Sequence, residues 1–470
     1  MLNTKQNHAV TQFTENFRNW KKDTKPYFVE LTGGAGTGKT FVIEHILKDC
    51  LNVARANVLV LAPTNSAKKQ IQRSMQNISS DMANKGLSLR FQTVASFLGK
   101  LPELDSKGNI DFVEGKALSR KNPLTGISIL IIEESSMVGK KDAKKILEEV
   151  GGKKIFVIFL GDKYQLFPVF EDTCELLNIV EPKDRVELTV SQRQKEGSCF
   201  NKITNLCREA VINKVSGFDL RNTFPDDIIE DGAQYRNYWD SDDAFKQIIR
   251  GIKAVYANND PMTFRALCFR NKTVQTINTK IRHLYFGSHA SEDYIIGEYL
   301  LCNKPVTEKV QVEDDIFTMT LIDNGSIVEV LEKKAEVFNF EFQFGGAKKT
   351  VSFNGYTIKA KELDLGTIQN IRLVSSLEKN KYNELCEKIK TACKKYAKEN
   401  RNFWYHYKEI IELFHDFDYA YTSNAYKVQG LSLKSVAVNL DDIVTIPNVE
   451  SSNRAQYVCV TRMTNNLLVF

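Results

Sequence analysis

No stretch of this sequence approaches the roughly 18 consecutive apolar residues of a membrane-spanning helix. The opening MLNTKQNHAVTQF is polar and lacks a signal-peptide core. Its nine cysteines, Cys50, Cys174, Cys199, Cys207, Cys268, Cys302, Cys386, Cys393 and Cys459, contain no C-x-x-C pair. Neither a zinc site nor a disulfide framework is suggested, so a reducing compartment, the cytoplasm, is the expected home. Strong charge of one sign is missing as well. The net charge of +6 permits nucleic-acid binding without demanding it. Beyond the adjacent pair Glu133 and Glu134 no carboxylate cluster stands out, which argues against a dedicated metal-dependent nuclease. What is present is length and apolar content: 470 residues, 42% hydrophobic, too long for a single core and rich enough to fill two or three.

The most informative stretch is Leu31 to Thr40, LTGGAGTGKT, between the apolar run Tyr27 to Val29 and the helical pattern Phe41 to Leu47. Read as strand, loop and helix, Gly33-x-x-x-x-Gly38-Lys39-Thr40 is a phosphate-binding loop. Gly33, Gly34, Ala35, Gly36, Thr37 and Gly38 let backbone N–H groups curl around phosphate oxygens. Lys39 can reach the β and γ phosphates, and Thr40 can offer its hydroxyl to Mg²⁺. The helix N-terminus adds a favourable dipole. The spacing therefore predicts a nucleoside triphosphate with Mg²⁺.

Ahead of the loop, Ala9, Phe13, Phe17 and Trp20 recur at helical intervals, predicting an amphipathic helix over residues 4–20 opened by Thr4. Gln6 lies on its first turn; an amide can read the edge of adenine, but spacing alone makes it a solvated residue. After the loop, Val58 to Ala62, Ile127 to Ile132 and Ile155 to Leu160 alternate with helix-like segments. Such runs predict a parallel sheet covered on both faces, with ligands at the carboxyl ends of its strands. One strand ends at Glu133 and Glu134. A carboxylate there can hold Mg²⁺ through water while its neighbour orients the attacking water. Another ends near Gln165, whose amide can sense a γ-phosphate.

GGAGTGKT, LAPTNSAKK (62–69), EESSM (133–137), GDKYQLFPV (161–169), ELTVSQR (187–193), NAYKVQG (424–430) and YVCVTR (457–462) together resemble the ordered motifs of superfamily 1B DNA helicases, the RecD-like group, with closest likeness to its Dda-like branch. The resemblance covers nearly the whole chain, from Gln6 to Arg462. It implies two RecA-like α/β motor domains, with ATP between them and single-stranded DNA across both. It assigns Gln6 to adenine, Lys39 and Thr40 to phosphates and Mg²⁺, Glu133 to the metal, Glu134 to the attacking water, and Gln165 to the γ-phosphate. Gly430 joins the nucleotide site, and Arg193 and Arg462 act as arginine fingers from the second motor domain. It implies contacts to single-stranded DNA at Thr64, Asn65, Thr93, Asn424 and Lys427, hydroxyls and amides that track a phosphate backbone without reading sequence. Forked duplex DNA, and a single-strand-binding protein or replisome components, are the implied partners of a monomer working in replication, recombination or repair, away from membranes. If the protein is phage-encoded, its compartment is the host cytoplasm.

Between Leu98 and Lys116 a Ser-Lys-Gly-Asn turn separates two short segments, predicting a β-hairpin. It resembles the pin of Dda-like helicases, and Phe112 sits where an aromatic wedge would meet the duplex fork; packing the hairpin on its neighbours is an equally good reading. From Glu187 the pattern restarts. Residues 264–269, 436–439 and 467–470 supply a second parallel sheet, with an amphipathic helix at 272–286. Between about Pro305 and Tyr419 lies an insert. Phe338, Phe340, Phe342 and Phe344 alternate at period two, so one face of that strand is buried. A small barrel is expected, SH3-like by the resemblance, followed by a charged helix over 377–397 with Leu385, Ile389 and Cys393 on one stripe, and an aromatic patch at Trp404, Tyr405 and Tyr407. The expected domains are 1–98 with 117–185 (first motor domain), 99–116 (pin), 186–305 with 420–470 (second motor domain) and 306–419 (SH3-like insert with helical arm).

The chain departs from the group's pattern at three places. Glu133 stands where Asp is usual, Ala95 where His is common, and Asn424 with Tyr426 replace Thr and His of the usual T-x-H-K. Two functions remain open: a DNA helicase moving 5′ to 3′, and an ATP-driven translocase that displaces bound proteins with little unwinding. An RNA motor is a third.

Overall fold

Continuous Ile, Val and Leu runs become buried strands because both faces of a parallel sheet are covered. The computed structural model describes residues 2–104, 110–114, 123–168, 171, 174–192, 197–230, 233–238, 240–312, 315–344, 347–396 and 402–470. The first sheet is formed by β1 (Tyr27–Gly33), β2 (Val58–Ala62), β3 (Leu89–Thr93), β4 (Ile129–Ile132), β5 (Phe156–Gly161) and β6 (Arg185–Leu188). Its order is β3-β2-β4-β5-β1-β6, and every pairing is parallel. On one face, α1 (Thr4–Trp20) and α2 (Lys39–Val53) bury Phe13, Phe17, Trp20, Ile43 and Ile46 against Leu31, Ile131 and Ile158. The other face packs Leu130, Ile132, Val157 and Phe159 against Ile146 and Val150 of the helix Lys140–Val150.

One boundary differs from the sequence reading. Asn3 caps α1, not Thr4. Its side chain accepts the Gln6 N–H at 2.9 Å while the Gln6 side chain accepts the Asn3 N–H at 3.0 Å, a reciprocal capping box.

The second sheet comprises β7 (Ile228–Glu230), β8 (Ala233–Asn237), β9 (Phe264–Cys268), β10 (Thr422–Asn424), β11 (Leu433–Val438) and β12 (Met463–Val469), in the order β10-β9-β11-β12-β8-β7. It is parallel except for the edge strand β7. The helices α3 (Cys199–Ile212) and α4 (Val449–Val460) cover one face, and α4 is buried from Ser452 to Val460. Within β9, Arg265 is 1% exposed, and its Nε and Nη2 have no hydrogen-bond partner. Burial brings its pKa down to about 10, against the opposing pull of Asp260, so the guanidinium stays charged.

The chain divides into two compact units. One holds both parallel sheets; the other comprises 100–115 and 275–421. In the latter, strands Lys100–Leu104 and Ile110–Glu114 form the expected hairpin, with Pro102 paired to Phe112; the Phe112 side chain lies outside the described residues. A five-stranded antiparallel sheet is built around the long hairpin Ile327–Phe344 and Ala347–Glu362. Phe340 and Phe342 are buried with Phe353, Ile389, Cys393, Tyr407 and Phe414, and Phe338 packs at the edge of the same cluster. The phenylalanine face is therefore core. The charged helix runs Lys379–Tyr396, and Trp404 meets Tyr407 edge-on at 5.8 Å in the helix Asn402–Ile411. The Phe344 and Tyr405 side chains lie outside the described residues.

Among the described residues no helix is long and apolar enough to cross a membrane. None of the nine cysteines is in a disulfide; Cys386 is partly exposed and the other eight are buried.

Candidate active site

The phosphate loop turns where β1 meets α2. Gly36 and Gly38 have φ of 77° and 84°, the left-handed region open to glycine. Gly38 occupies the cap position of α2 and supplies no side-chain cap, which leaves the first-turn amides available to an anion. A Cβ on Gly33 would fall 2.8 Å from the Leu188 carbonyl oxygen and 2.6 Å from Thr37 Oγ1, so only glycine fits there. Lys39 Nζ donates to the carbonyls of Gly33 (2.7 Å) and Gly34 (3.3 Å), folded back on the loop it would leave for a phosphate. Thr40 follows in the first turn of α2.

Gln6 is not the solvated residue that spacing suggests. It is 1% exposed and its Nε2 donates to the Thr37 carbonyl at 3.0 Å, because the first turn of α1 lies against the loop. The Gln192 N–H donates to the Gly36 carbonyl at 2.7 Å. Arg193, the next residue, lies outside the described residues.

Glu133 and Glu134 end β4 in the same layer. Glu134 has φ of 46° and ψ of 45°, left-handed for a residue with a Cβ, and a 3₁₀ turn, Ser135–Met137, begins directly after it. Strain of this kind tends to collect at functional sites. Both side chains are buried, and Oε2 of each lacks a hydrogen-bond partner. Burial raises the Glu133 carboxyl, the neighbouring Glu134 raises it further, and Lys39 opposes both. Burial also raises Glu134, against the lowering effects of Lys39 and then Arg462. Lys39 from the first sheet and Arg462 from the end of α4 thus act on one carboxylate. Arg462 is 3% exposed; its guanidinium donates to the carbonyls of Val458 and Leu431 and to Thr461 Oγ1. Gly430 (φ 79°) approaches the same group, since a Cβ there would lie 3.9 Å from Glu134 Oε1.

Two orphaned carboxylate oxygens and the Thr40 hydroxyl form an all-oxygen donor set, the chemistry that suits Mg²⁺ together with phosphate oxygens. Among the described residues no group of three or more His, Cys, Asp or Glu could hold a metal by itself.

Gln165, beyond β5, is 1% exposed and held by its neighbours. Its Nε2 donates to Asp162 Oδ2 at 3.3 Å, and its Oε1 faces Gln429 Nε2 at 3.5 Å. Several polar residues of this site receive no role from the motif reading, and Arg454 lies outside the motifs altogether. Tyr457 donates to Asp162 Oδ2 at 2.9 Å, Gln429 Nε2 to the Leu166 carbonyl at 3.2 Å, and Arg454 to the carbonyls of Lys163 and Gln165 at 2.6 and 2.7 Å. The signal that could find them is the clustering of Arg454, Gln456 and Tyr457 on a helix whose apolar neighbours mark it as buried.

The residues expected to meet DNA lie at strand ends. Thr64 and Thr93 follow β2 and end β3, and each hydroxyl accepts a cap bond at 3.1 Å, from the Ala67 and Ser96 N–H respectively. Each keeps its own O–H to donate. Asn65 starts the helix that Thr64 caps. At the end of β10, Asn424 accepts the Lys427 N–H at 2.9 Å and donates to Asn271 Oδ1 at 2.7 Å.

Residues 1–218 match the family model described as an AAA domain, and residues 291–417 match the Dda helicase SH3 domain. The ATP-dependent DNA helicase dda of Enterobacteria phage T4 is 23% identical over 93% of this chain and 93% of its own. The chain thus joins an AAA domain to a Dda helicase SH3 domain, and it is similar to the T4 helicase over nearly its whole length. An uncharacterized protein, R530, of Acanthamoeba polyphaga mimivirus is likewise 23% identical over 99% of each chain. Among solved structures, a Pif1 helicase from Bacteroides in complex with ADP-AlF3 and ssDNA aligns with a TM-score of 0.44 at 16% identity, covering 97% of this chain and 91% of that one.

Proposed function

We propose that this chain is a Dda-like helicase that uses Mg-ATP to translocate 5′ to 3′ along single-stranded DNA and to separate the strands of a forked duplex. The observation that carries the reading is the buried Glu134 carboxylate, with one oxygen unpaired, subject to the charges of Lys39 from one sheet and Arg462 from the other. Gln6 meets the adenine. Lys39 and the loop amides hold the β and γ phosphates, and Thr40 and Glu133 hold Mg²⁺. Glu134 orients the attacking water, Gln165 contacts the γ-phosphate, and Arg193 and Arg462 stabilise charge on the transferring group, an effect worth about 10³ to 10⁵ in rate for an arginine finger. The bound metal supplies charge neutralisation at the phosphates. Because the arginines come from the second motor domain, closure and hydrolysis are coupled.

Thr64, Asn65 and Thr93 in the first motor domain, and Asn424 and Lys427 in the second, grip the DNA backbone alternately, and Phe112 of the pin meets the fork. We place the domain boundaries at 1–98 with 117–188, 99–116, 189–298 with 420–470, and 299–419; the boundaries expected at 185 and 305 move because Val186 to Leu188 pair with β1 and Tyr299 to Cys302 pair within the antiparallel sheet. The T4 relative is named as an ATP-dependent DNA helicase, which supports DNA as the track. A strand-displacement assay with 5′-tailed and 3′-tailed duplexes tests the reading: displacement of the 5′-tailed substrate alone is expected. Translocation without displacement would favour the protein-clearing translocase, and equal ATPase stimulation by RNA would remove the preference for DNA.

A further inference from the structure

Asp162, fully buried just beyond β5, is the meeting point of both motor sheets. Its Oδ1 accepts the Tyr164 N–H at 3.0 Å; its Oδ2 accepts the Tyr457 hydroxyl at 2.9 Å and Gln165 Nε2 at 3.3 Å. An ionised carboxylate only accepts, so the Gln165 amide must turn its NH₂ toward Asp162 and its carbonyl oxygen toward Gln429 Nε2, 3.5 Å away. A four-member chain results, Tyr457 to Asp162 to Gln165 to Gln429. Its inner members belong to the first sheet. Its outer members come from the second, Tyr457 on α4 and Gln429 in the turn after β10. The Tyr457 hydroxyl also lies against the phosphate loop: a Cβ on Gly34 would come within 2.9 Å of it.

We infer that Tyr457 and Gln429 are positioning residues that fix the Gln165 amide from both ends, leaving its second N–H free for the terminal phosphate, and that withdrawal of the second motor domain releases both ends together. This deepens the proposed function and rests on its assignment of Gln165 to the γ-phosphate. A carboxylate that loses one donor and a carbonyl that loses another leave the amide free to rotate, and an amide turned oxygen-first repels a phosphate. Neither outer residue contacts the nucleotide in this account; each acts through Gln165.

A double-mutant cycle tests this. Y457F removes the hydroxyl and keeps the ring. It is expected to lower kcat for DNA-stimulated ATP hydrolysis about tenfold, the size of one charge-assisted hydrogen bond, with KM for ATP shifted less than about twofold. In a Q165A background the same change is expected to cost less than about twofold, because the residue it acts through is gone. Equal loss in both backgrounds, or a rise in KM without a fall in kcat, overturns the inference. The same pattern is expected without turnover when the cycle is read as affinity for ADP with aluminium fluoride relative to ADP alone, so absence of ATPase in the wild type would count against the proposed function separately. Should Y457F melt well below the wild type, Q429A at the other end of the chain carries the same expectation in both backgrounds.

Discussion

The Arg454 guanidinium lies 3.9 Å from the centre of the Phe167 ring while donating to the carbonyls of Lys163 and Gln165 and pairing with Glu450 at 2.8 Å. One side chain from α4 thus clamps the segment that carries Gln165. A planar fork that stacks and donates at once has no lysine equivalent. R454K is therefore expected to lower stability, and R454A to lower it further, by about 2 to 3 kcal/mol, since it leaves two carbonyls without donors. Thermal melts of the three proteins decide this. Equal stability of R454K and wild type would show that charge alone suffices.

Glu134 is the candidate for orienting the attacking water. E134Q keeps the shape and removes the base, so ATP turnover on single-stranded DNA should fall by about 10² to 10⁴ while nucleotide binding is retained. Single-turnover kinetics beside a fluorescent-nucleotide titration separate the two. Turnover near the wild-type rate would move the role elsewhere.

Glu133 makes a prediction about pH. Its folded pKa is raised by burial and by Glu134, so the folded protein holds this proton more tightly than the unfolded chain does. Such a group contributes stability at low pH that is lost as pH climbs above the ordinary carboxylate range toward the raised value. Glutamine has no proton to lose. For the nucleotide-free protein, the melting temperature of E133Q minus that of wild type should therefore widen between about pH 5 and about pH 8.5. A constant difference across that range would refute the assignment of the raised carboxyl to this residue.

Arg265 is a buried charge with Nε and Nη2 unpaired, the effect of its burial opposed by Asp260. Replacing it by an apolar chain of similar length removes a desolvation cost, and R265M is expected to raise stability by about 1 to 3 kcal/mol. Chemical denaturation measures it. A destabilised R265M would mean that the guanidinium holds a structural contact of its own.

Phe112 tests the pin. If an aromatic ring replaces lost base stacking at the fork, F112A should slow strand displacement severalfold, consistent with about 1 to 3 kcal/mol per stacked base, while ATP hydrolysis on single-stranded DNA is unchanged. Unaltered unwinding would leave Phe112 as hairpin packing.

Much of this architecture is readable in the chain because the chemistry is local. The loop from Gly33 to Thr40 carries its own strand and helix, and Ile129–Ile132 has the composition of a buried strand. Leu89–Thr93 and Arg185–Leu188 give no such signal, since LRFQT and RVEL mix polar and apolar residues at the rims of the first sheet. Spacing misplaces Gln6 because its burial depends on a loop 31 residues away. Tyr457 cannot be linked to Asp162 across 295 residues without the fold that joins them. Roles for Arg462 and Gln165 come from motif likeness, since no spacing rule pairs an arginine late in a chain with a strand end early in it.

The burial of nearly all the cysteines has a practical consequence. Burial pushes the thiols of Cys207 and Cys459 up to about 12, so they are poor nucleophiles as well as inaccessible, and a maleimide dye would meet only the partly exposed Cys386 in the folded protein. Replacing that one residue leaves a background silent to labelling. Pairs of new surface thiols, one on each motor domain, could then carry fluorophores that follow opening and closing one ATP at a time.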